Sequence, residues 1–336
     1  MTPIRAIGKY LDQPMLTAKI NRKLPVVFAA AGGTVLYNEV KNSSDGEKFK
    51  NGLKTAIILA TTAVSAIYAP KIASAVSGRK PAKTFEQIIE SNTEIINDFI
   101  QKNKLTKEAS DILEKAKTDK LSLKEIDKLF GIKELKPLAD KIVPPPDNIS
   151  AKDIFKEIGW LSVFGAVPVI GGVAGGVLAD SLVEPEWKER IPNKVNEGLY
   201  QYLANIFMCN VGAGAALGIL EKMNIKSKAA RCAGMVAGII TTGIVGGSLI
   251  ANYIGNKILN PLLKQKQVEK RTPELLDISL HTDDIATVSL LSGLKWIEPS
   301  LPLLYSISGY RAGIGYRNGS RNDSNEHKAH FLRQKC

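Results

Sequence analysis

The densest run of glycine in the sequence, GAVPVIGGVAGGVLADSL from Gly165 to Leu182, could serve two different chemistries. Glycines can wrap a phosphate group, or they can let two helix backbones touch. A dinucleotide-binding loop requires the order G-x-G-x-x-G between a strand and a helix. Here the residue two after Gly171 is Val173, and no Gly-Lys-Ser/Thr ending follows. The order argues against both phosphate motifs and favours helix packing.

Pairs of glycines four residues apart recur in the later apolar runs. Small residues at this spacing allow two helices to approach closely, which is how membrane-spanning helices pack in lipid. The same surfaces could also join two copies of the chain as a homo-oligomer. We therefore predict helix packing at Gly171, Gly175, Gly214, Gly218, Gly234, Gly238, Gly243 and Gly247.

Ionisable side chains within apolar runs would indicate a transport or catalytic site. The longest runs contain amides and hydroxyls instead, whose usual role is hydrogen bonding between helices. Asn205 and Asn210 are the amide candidates for an intramembrane polar site, and Lys295 with Glu298 is the best charged pair. Asp180 ends its run, and we expect it at the membrane interface.

Evidence for metal or catalytic chemistry is sparse. His327 and His330 could clamp a metal with Glu326, but no further ligand set accompanies them. The three cysteines show neither metal-ligand nor disulfide spacing. We therefore predict no catalytic residue, no metal and no cofactor, and we favour a non-enzymatic protein while leaving enzyme activity open.

Three runs without a charged residue determine the fold class. Residues 158–179, 198–220 and 232–256 contain 22, 23 and 25 residues. A bilayer core requires about 20 apolar residues of helix. The alternative is a soluble bundle of buried Ala/Gly helices, but helices that are apolar all round are usually membrane spans or cores of large proteins. The runs predict an all-α, multi-pass membrane protein.

Two shorter runs in the first third of the chain, residues 24–40 and 55–76, predict a membrane hairpin. Ala29-Ala30-Ala31 resembles a signal-peptide cleavage site, but only five apolar residues precede it, fewer than the roughly 7–15 of a signal-peptide core. A broken run over residues 285–308 is a weak sixth candidate. The expected number of spans is five or six.

The net charge of +12 raises the question of a nucleic-acid partner. Residues 83–157, however, hold 14 lysines against 15 acids, so the excess lies in the flanks of apolar runs and in the tails. This distribution is typical of a cytoplasmic membrane face and makes nucleic acid an improbable partner. It predicts an integral membrane protein whose N-terminus and 83–157 domain are cytoplasmic, although the basic segment 257–271 would then lie outside.

The segment between the second and third runs has the pattern of a small soluble domain. Thr84 with Gln87 and Ser122 with Glu125 have the spacing of capping boxes, which begin helices. The resulting organisation begins with a basic N-terminal segment with a possible interfacial helix (residues 1–23) and a membrane hairpin (24–78). A soluble helical domain with a Pro-rich linker (79–157) and a three-span core (158–259) follow. The chain ends with a linker and the weak sixth span (260–310) and a basic disordered tail (311–336).

Two functions fit this organisation. The leading hypothesis is a membrane scaffold or adaptor that presents residues 83–143 to a protein partner, because the long runs lack internal charge. The alternative is a small-solute transporter or channel. A faint repeat favours it, since Leu24, Phe28 and Gly33 match Leu203, Phe207 and Gly212 at one offset.

Overall fold

The computed structural model describes residues 3–144, 151–225, 227–263, 271 and 295–316. These residues form helices and connecting loops, with no strand among them, which confirms the all-α prediction for this part of the chain. The predictions for His281, His327, His330 and the tail beyond residue 316 lie outside the described residues. The chain divides into two compact units.

Unit 1 comprises residues 3–24, 81–144 and 295–300 of the described chain. It contains α1 and the beginning of α2, then four short helices and two 3-10 turns (Lys133–Leu135 and Lys295–Ser300). Its helices are α1 Pro3–Leu11, α2 Pro14–Asn42, α4 Phe85–Lys102, α5 Lys107–Thr118, α6 Leu123–Gly131 and α7 Lys136–Ile142.

Hydrogen bonds between side chains and backbone mark the beginnings of helices α4 and α6 in unit 1. The side chains of Thr84 and Ser122 each accept a hydrogen bond from the backbone N–H of the residue three positions on. The side-chain oxygens of Gln87 and Glu125 in turn accept from the backbone N–H of Thr84 and Ser122. Both predicted capping boxes are therefore confirmed. The apolar faces of these helices form an aliphatic core that includes Ile96, Leu113, Leu121, Ile126, Leu129 and Leu138.

The N-terminal segment is part of unit 1. The side-chain amide of Gln13 is buried, donates to the carbonyl of Leu121 at 3.0 Å and accepts from its N–H at 2.7 Å. The Lys9 ammonium donates to the carbonyl of Val143 at 3.2 Å. These bonds join residues more than 100 positions apart and hold the N-terminal segment against the later helices of unit 1.

Unit 2 contains the long apolar helices and the remainder of α2. Three π-helical stretches, over residues 203–207, 239–247 and 255–259, interrupt otherwise continuous helix. Its other helices are α3 Lys48–Ser77, α8 Ala151–Val183, α9 Trp187–Tyr202, α10 Met208–Lys222, α11 Lys228–Gly238, α12 Ser248–Ile254, α13 Asn260–Leu262 and α14 Leu301–Ile314.

Four continuous helical segments of unit 2 are long and apolar enough to cross a membrane: Lys48–Ser77, Lys156–Val183, Trp187–Lys222 and Ala233–Leu262. The length and composition of these four helices are those of an integral membrane protein. Helix α2 is not among the four. At the weak sixth run the structure has the 14-residue helix α14, which is too short to cross a bilayer.

Candidate functional site: a buried polar network

Glycines bring α3 and α8 into close antiparallel contact. A methyl group added at Gly171 would lie 2.1 Å from the Ser65 hydroxyl, and one at Gly175 would lie 1.8 Å from the Thr61 hydroxyl. Such distances are far below van der Waals contact, so only glycine fits at either position. The contact fixes the two helices side by side and positions the charged groups beyond it.

Helix α14 crosses α8 through four further glycines. A methyl group at Gly172 would lie 1.8 Å from the carbonyl oxygen of Gly309, and one at Gly176 would lie 2.0 Å from that of Gly313. In the other direction, a methyl group at Gly309 would lie 2.3 Å from the carbonyl oxygen of Pro168. Backbone touches backbone along this crossing and leaves no room for a solute.

The remaining predicted packing glycines differ among themselves. Methyl groups at Gly238, Gly243 and Gly247 would collide with Gly212, Cys209 and Ala204, and one at Gly234 would collide with the Leu220 side chain. Gly214 is buried, whereas an added methyl group at Gly218 would meet no atom within 4 Å.

A charged cluster lies where α3, α8 and α9 converge. Asp180 is 0% exposed, and its two carboxylate oxygens each lie 3.0 Å from an ammonium, Oδ1 from Lys54 and Oδ2 from Lys194. The Lys194 ammonium also donates to the carbonyl oxygen of Gly313 on α14. One carboxylate and one ammonium thus connect four helices of the bundle.

Glu184 extends this cluster just beyond the end of α8. Its carboxylate lies 2.9 Å from the ammonium groups of both Lys50 and Lys54, and 3.5 Å from the Arg190 guanidinium. Burial raises the pKa of Glu184, but hydrogen bonds from Lys50 and Lys54 and the nearby positive charges outweigh it and hold the pKa at about 2. Glu184 is therefore ionised at neutral pH.

A second polar row follows one face of α9 into the π-helical stretch after it. The Gln201 amide donates to the Glu197 carboxylate at 2.8 Å, and the Asn205 amide donates to the Gln201 carbonyl oxygen at 2.8 Å. Glu197 is 0% exposed and lies 3.0 Å from Nε of Arg271. The Arg271 guanidinium also stacks 4.2 Å from the ring centroid of Tyr200.

Amides link α9 to the last spanning segment. The Asn196 side chain donates to Asn260 at 2.9 Å, and Asn260 donates to Asn256 at 3.1 Å. Asn252 binds both backbone groups of Arg271, accepting from its N–H at 3.0 Å and donating to its carbonyl at 2.8 Å. These polar groups satisfy one another, as buried polar groups must.

The structure separates the polar residues selected from the sequence. Asn205 lies in the α9 row, whereas Asn210 is buried farther along α10 and its amide nitrogen has no hydrogen-bond partner among the described residues. Glu298 is half-buried in unit 1, and the Lys295 side chain lies outside the described residues. Asn205 and Asn210 therefore have different surroundings within unit 2.

Sequence reasoning missed most of the charged network. Lys194 and Glu197 have the composition of a loop between two runs, yet they lie buried on α9. Asp180 was expected at the interface, and the structure encloses its side chain between two lysines. Two patterns in the sequence could have indicated this network. Polar residues recur at helical spacing on one face of α9, namely Asn196, Glu197, Tyr200 and Gln201. Gly309 and Gly313 are four residues apart, which is the spacing of a helix-packing pair.

The network holds fixed charges but resembles no metal or nucleophilic site. Within the described ranges, no group of three His, Cys, Asp or Glu side chains could hold a metal ion. Comparisons of the chain with protein-family models, curated proteins and solved structures found no match.

Proposed function

We propose that the protein is a non-enzymatic membrane scaffold that holds unit 1 at the membrane surface for a protein partner. The observation that carries this proposal is that unit 1 has an aliphatic core of its own, built from capped helices and separate from the spanning helices. The closed Gly–Gly crossing of α8 and α14 and the internally paired charges also support a rigid anchor.

The proposal includes α2 as a further span. Residues 9 and 13 bind residues 143 and 121 within unit 1, so both ends of the segment 25–80 lie on one side of the bilayer. Helix α3 crosses that bilayer once, and a second crossing must return the chain. Helix α2 has no charged residue from Leu24 to Asn38 and exposes Val26 and Tyr37 by 69% and 64%.

With α2 as a span, the N-terminus and unit 1 belong to the cytoplasmic side. The five basic residues of the N-terminal segment, the loop after α3 and the loop between α10 and α11 would share that side, in agreement with the positive-inside rule. The turn after α2 and the acidic loop after α8 would lie opposite. An epitope inserted between residues 43 and 47 tests this topology: protease should reach it only from outside intact cells.

Photo-crosslinking of the full-length protein in its native membrane tests the scaffold function. A photoreactive residue is placed at Glu94, Lys107 or Lys124, which are exposed on three helices of unit 1. The control is Leu178, which is half exposed on α8. We expect one discrete protein adduct from at least one unit 1 position and none from Leu178. Absence of a discrete adduct at all three positions would contradict the proposal.

The buried row Glu197–Gln201–Asn205 favours a second function, transport of a proton or small cation. Its members are hydrogen-bonded in sequence, and π-helical stretches of the kind that begins at Leu203 are frequent at functional sites. Purified protein in liposomes would then carry protons or potassium faster than empty liposomes, and Gln201→Leu would remove the flux. Equal rates for protein-containing and empty liposomes would exclude this function for those ions.

A further inference from the structure

We propose that the protein binds one anionic phospholipid in a groove between α3 and α8. The groove has a volume of about 560 Å³ and lies on two helices that are long and apolar enough to cross a membrane. Residues of α3 provide most of its lining, and Val167 of α8 completes it. The α3 residues include Thr61, Val64, Ser65, Tyr68 and Ile72.

The groove presents almost no polar group to its occupant, although two hydroxyl residues line it. The Thr61 hydroxyl donates within α3, to the carbonyl oxygens of Ile57 and Ile58, and the Ser65 hydroxyl donates to that of Thr62 at 2.8 Å. The capacity of both hydroxyls to donate hydrogen bonds is already used. A polar solute would therefore lose hydrogen bonds on entering, whereas an acyl chain loses none.

The length of the groove fits one leaflet. Its lining on α3 runs from Ala60 to Ile72, which corresponds to roughly 18 Å of helix at 1.5 Å per residue. Half of the hydrocarbon core of a bilayer measures about 15 Å. An acyl chain lying along α3 can therefore fill the groove from the mid-plane to the headgroup region.

One end of the groove carries a positive charge. The Lys71 ammonium lies 5.8 Å from the ring centroid of Tyr68, beside Ile72. No carboxylate forms an ion pair with it among the described side chains, in contrast to Arg79 at the end of the same helix, which pairs with Glu157 at 2.7 Å. A lysine of a spanning helix that has no carboxylate partner must extend its ammonium to the interface, and a lipid phosphate there supplies the anion.

Native mass spectrometry of the full-length protein tests the proposal. The protein is released from nanodiscs that contain phosphatidylglycerol or phosphatidylcholine with the same acyl chains. We expect wild type to retain one additional phosphatidylglycerol, about five-fold more than phosphatidylcholine, because one cation near the membrane surface contributes on that scale. Lys71→Gln should remove the preference. The matched control Lys188→Gln, beside Trp187 near the beginning of α9, should keep it.

Filling the groove tests the acyl-chain part separately. Val167→Trp places an indole in the groove and should reduce retention of both lipids, whereas Ile170→Trp, on an exposed position of the same helix outside the lining, should not. Circular dichroism of each variant verifies that it is folded. Equal retention of the two lipids by wild type, or unchanged retention in Val167→Trp, would overturn the proposal. So would a wild-type dimer that dissociates on Val167→Trp but not on Ile170→Trp, since a second copy would then be the occupant.

Discussion

The two units of the protein hold their helices together by different physical means. Unit 1 packs branched aliphatic side chains between short helices and keeps its ion pairs, such as Lys128 with Glu108, at the surface. Unit 2 brings backbones into contact through glycine and buries some of its ion pairs, among them those of Asp180 and Glu197. Water drives apolar burial in unit 1, whereas lipid gives no such drive between spanning helices, so close packing and polar bonds take its place.

Ion pairs should therefore matter far more in unit 2, and this gives the largest expected effect. Asp180→Asn would leave Lys54 and Lys194 buried without the carboxylate between them and should lower the free energy of unfolding by about 3–5 kcal/mol. Denaturant unfolding of the protein in detergent, followed by circular dichroism, measures this. Glu108→Gln in unit 1 is the control and should change stability by no more than about 1 kcal/mol. A similar effect of both variants would remove the distinction between the units.

Glycine should likewise be essential in one unit and replaceable in the other. Gly172→Ala places a methyl group 1.8 Å from the Gly309 carbonyl oxygen, and we expect a loss of about 3 kcal/mol or separation of α14 from α8. Gly131→Ala in unit 1 meets no atom within 4 Å and should be neutral or slightly stabilising. Disulfide crosslinking between cysteines introduced on α8 and α14 reports the separation directly. If Gly172→Ala keeps wild-type stability and efficient crosslinking, the contact between α8 and α14 is less close than in the structure.

Unit 1 should be sensitive instead to the side-chain amide of Gln13, which binds both backbone groups of Leu121. Gln13→Leu leaves the N–H and carbonyl of Leu121 without their partner and should destabilise unit 1 by about 1–3 kcal/mol. Hydrogen exchange should accelerate at amides of residues 85–142 and stay unchanged in α8. Gln101→Leu, at an exposed position of α4, serves as the control. Faster exchange in α8 would mean that the two units unfold together.

The smallest expected effect is a loss of stability at acidic pH. The pKa of Glu184 is held at about 2, below its ordinary value of 4.5, so its stabilising contribution is complete above about pH 4.5 and declines as the pH falls toward 2. Unit 2 should therefore lose stability across this window. Glu184→Gln should start from a lower stability and show a shallower decline, measured by thermal unfolding at each pH. An equally steep decline in the variant would assign the acid sensitivity to other carboxylates.

The sequence was sufficient for features that depend on neighbours in the chain. The Thr84 and Ser122 capping boxes follow from residues three apart, and the long uncharged runs follow from composition. The count of spans was less determined, because α2 combines a short apolar run with a charged first half and α14 ends after 14 residues.

The charged network could not be foreseen in the same way. Lys54, Asp180 and Lys194 come from three helices, and nothing in the local sequence of any one of them indicates that the other two are adjacent. Taken alone, each residue has the sequence context of a solvent-exposed charge at the end of a helix. Their pairing depends on the antiparallel register of α3 and α8, which Gly171 and Gly175 fix against Ser65 and Thr61.

The bond between Gln13 and Leu121 imposes an order on synthesis. The two residues are 108 positions apart, and helices α2 and α3 are made between them. At translation rates of about 5–20 residues per second, the first helix emerges on the order of 5–20 seconds before its binding site exists. During that interval its basic, amphipathic surface is accessible to the ribosome, to chaperones and to anionic lipid headgroups, so the newborn N-terminus passes through a state that the finished protein no longer displays.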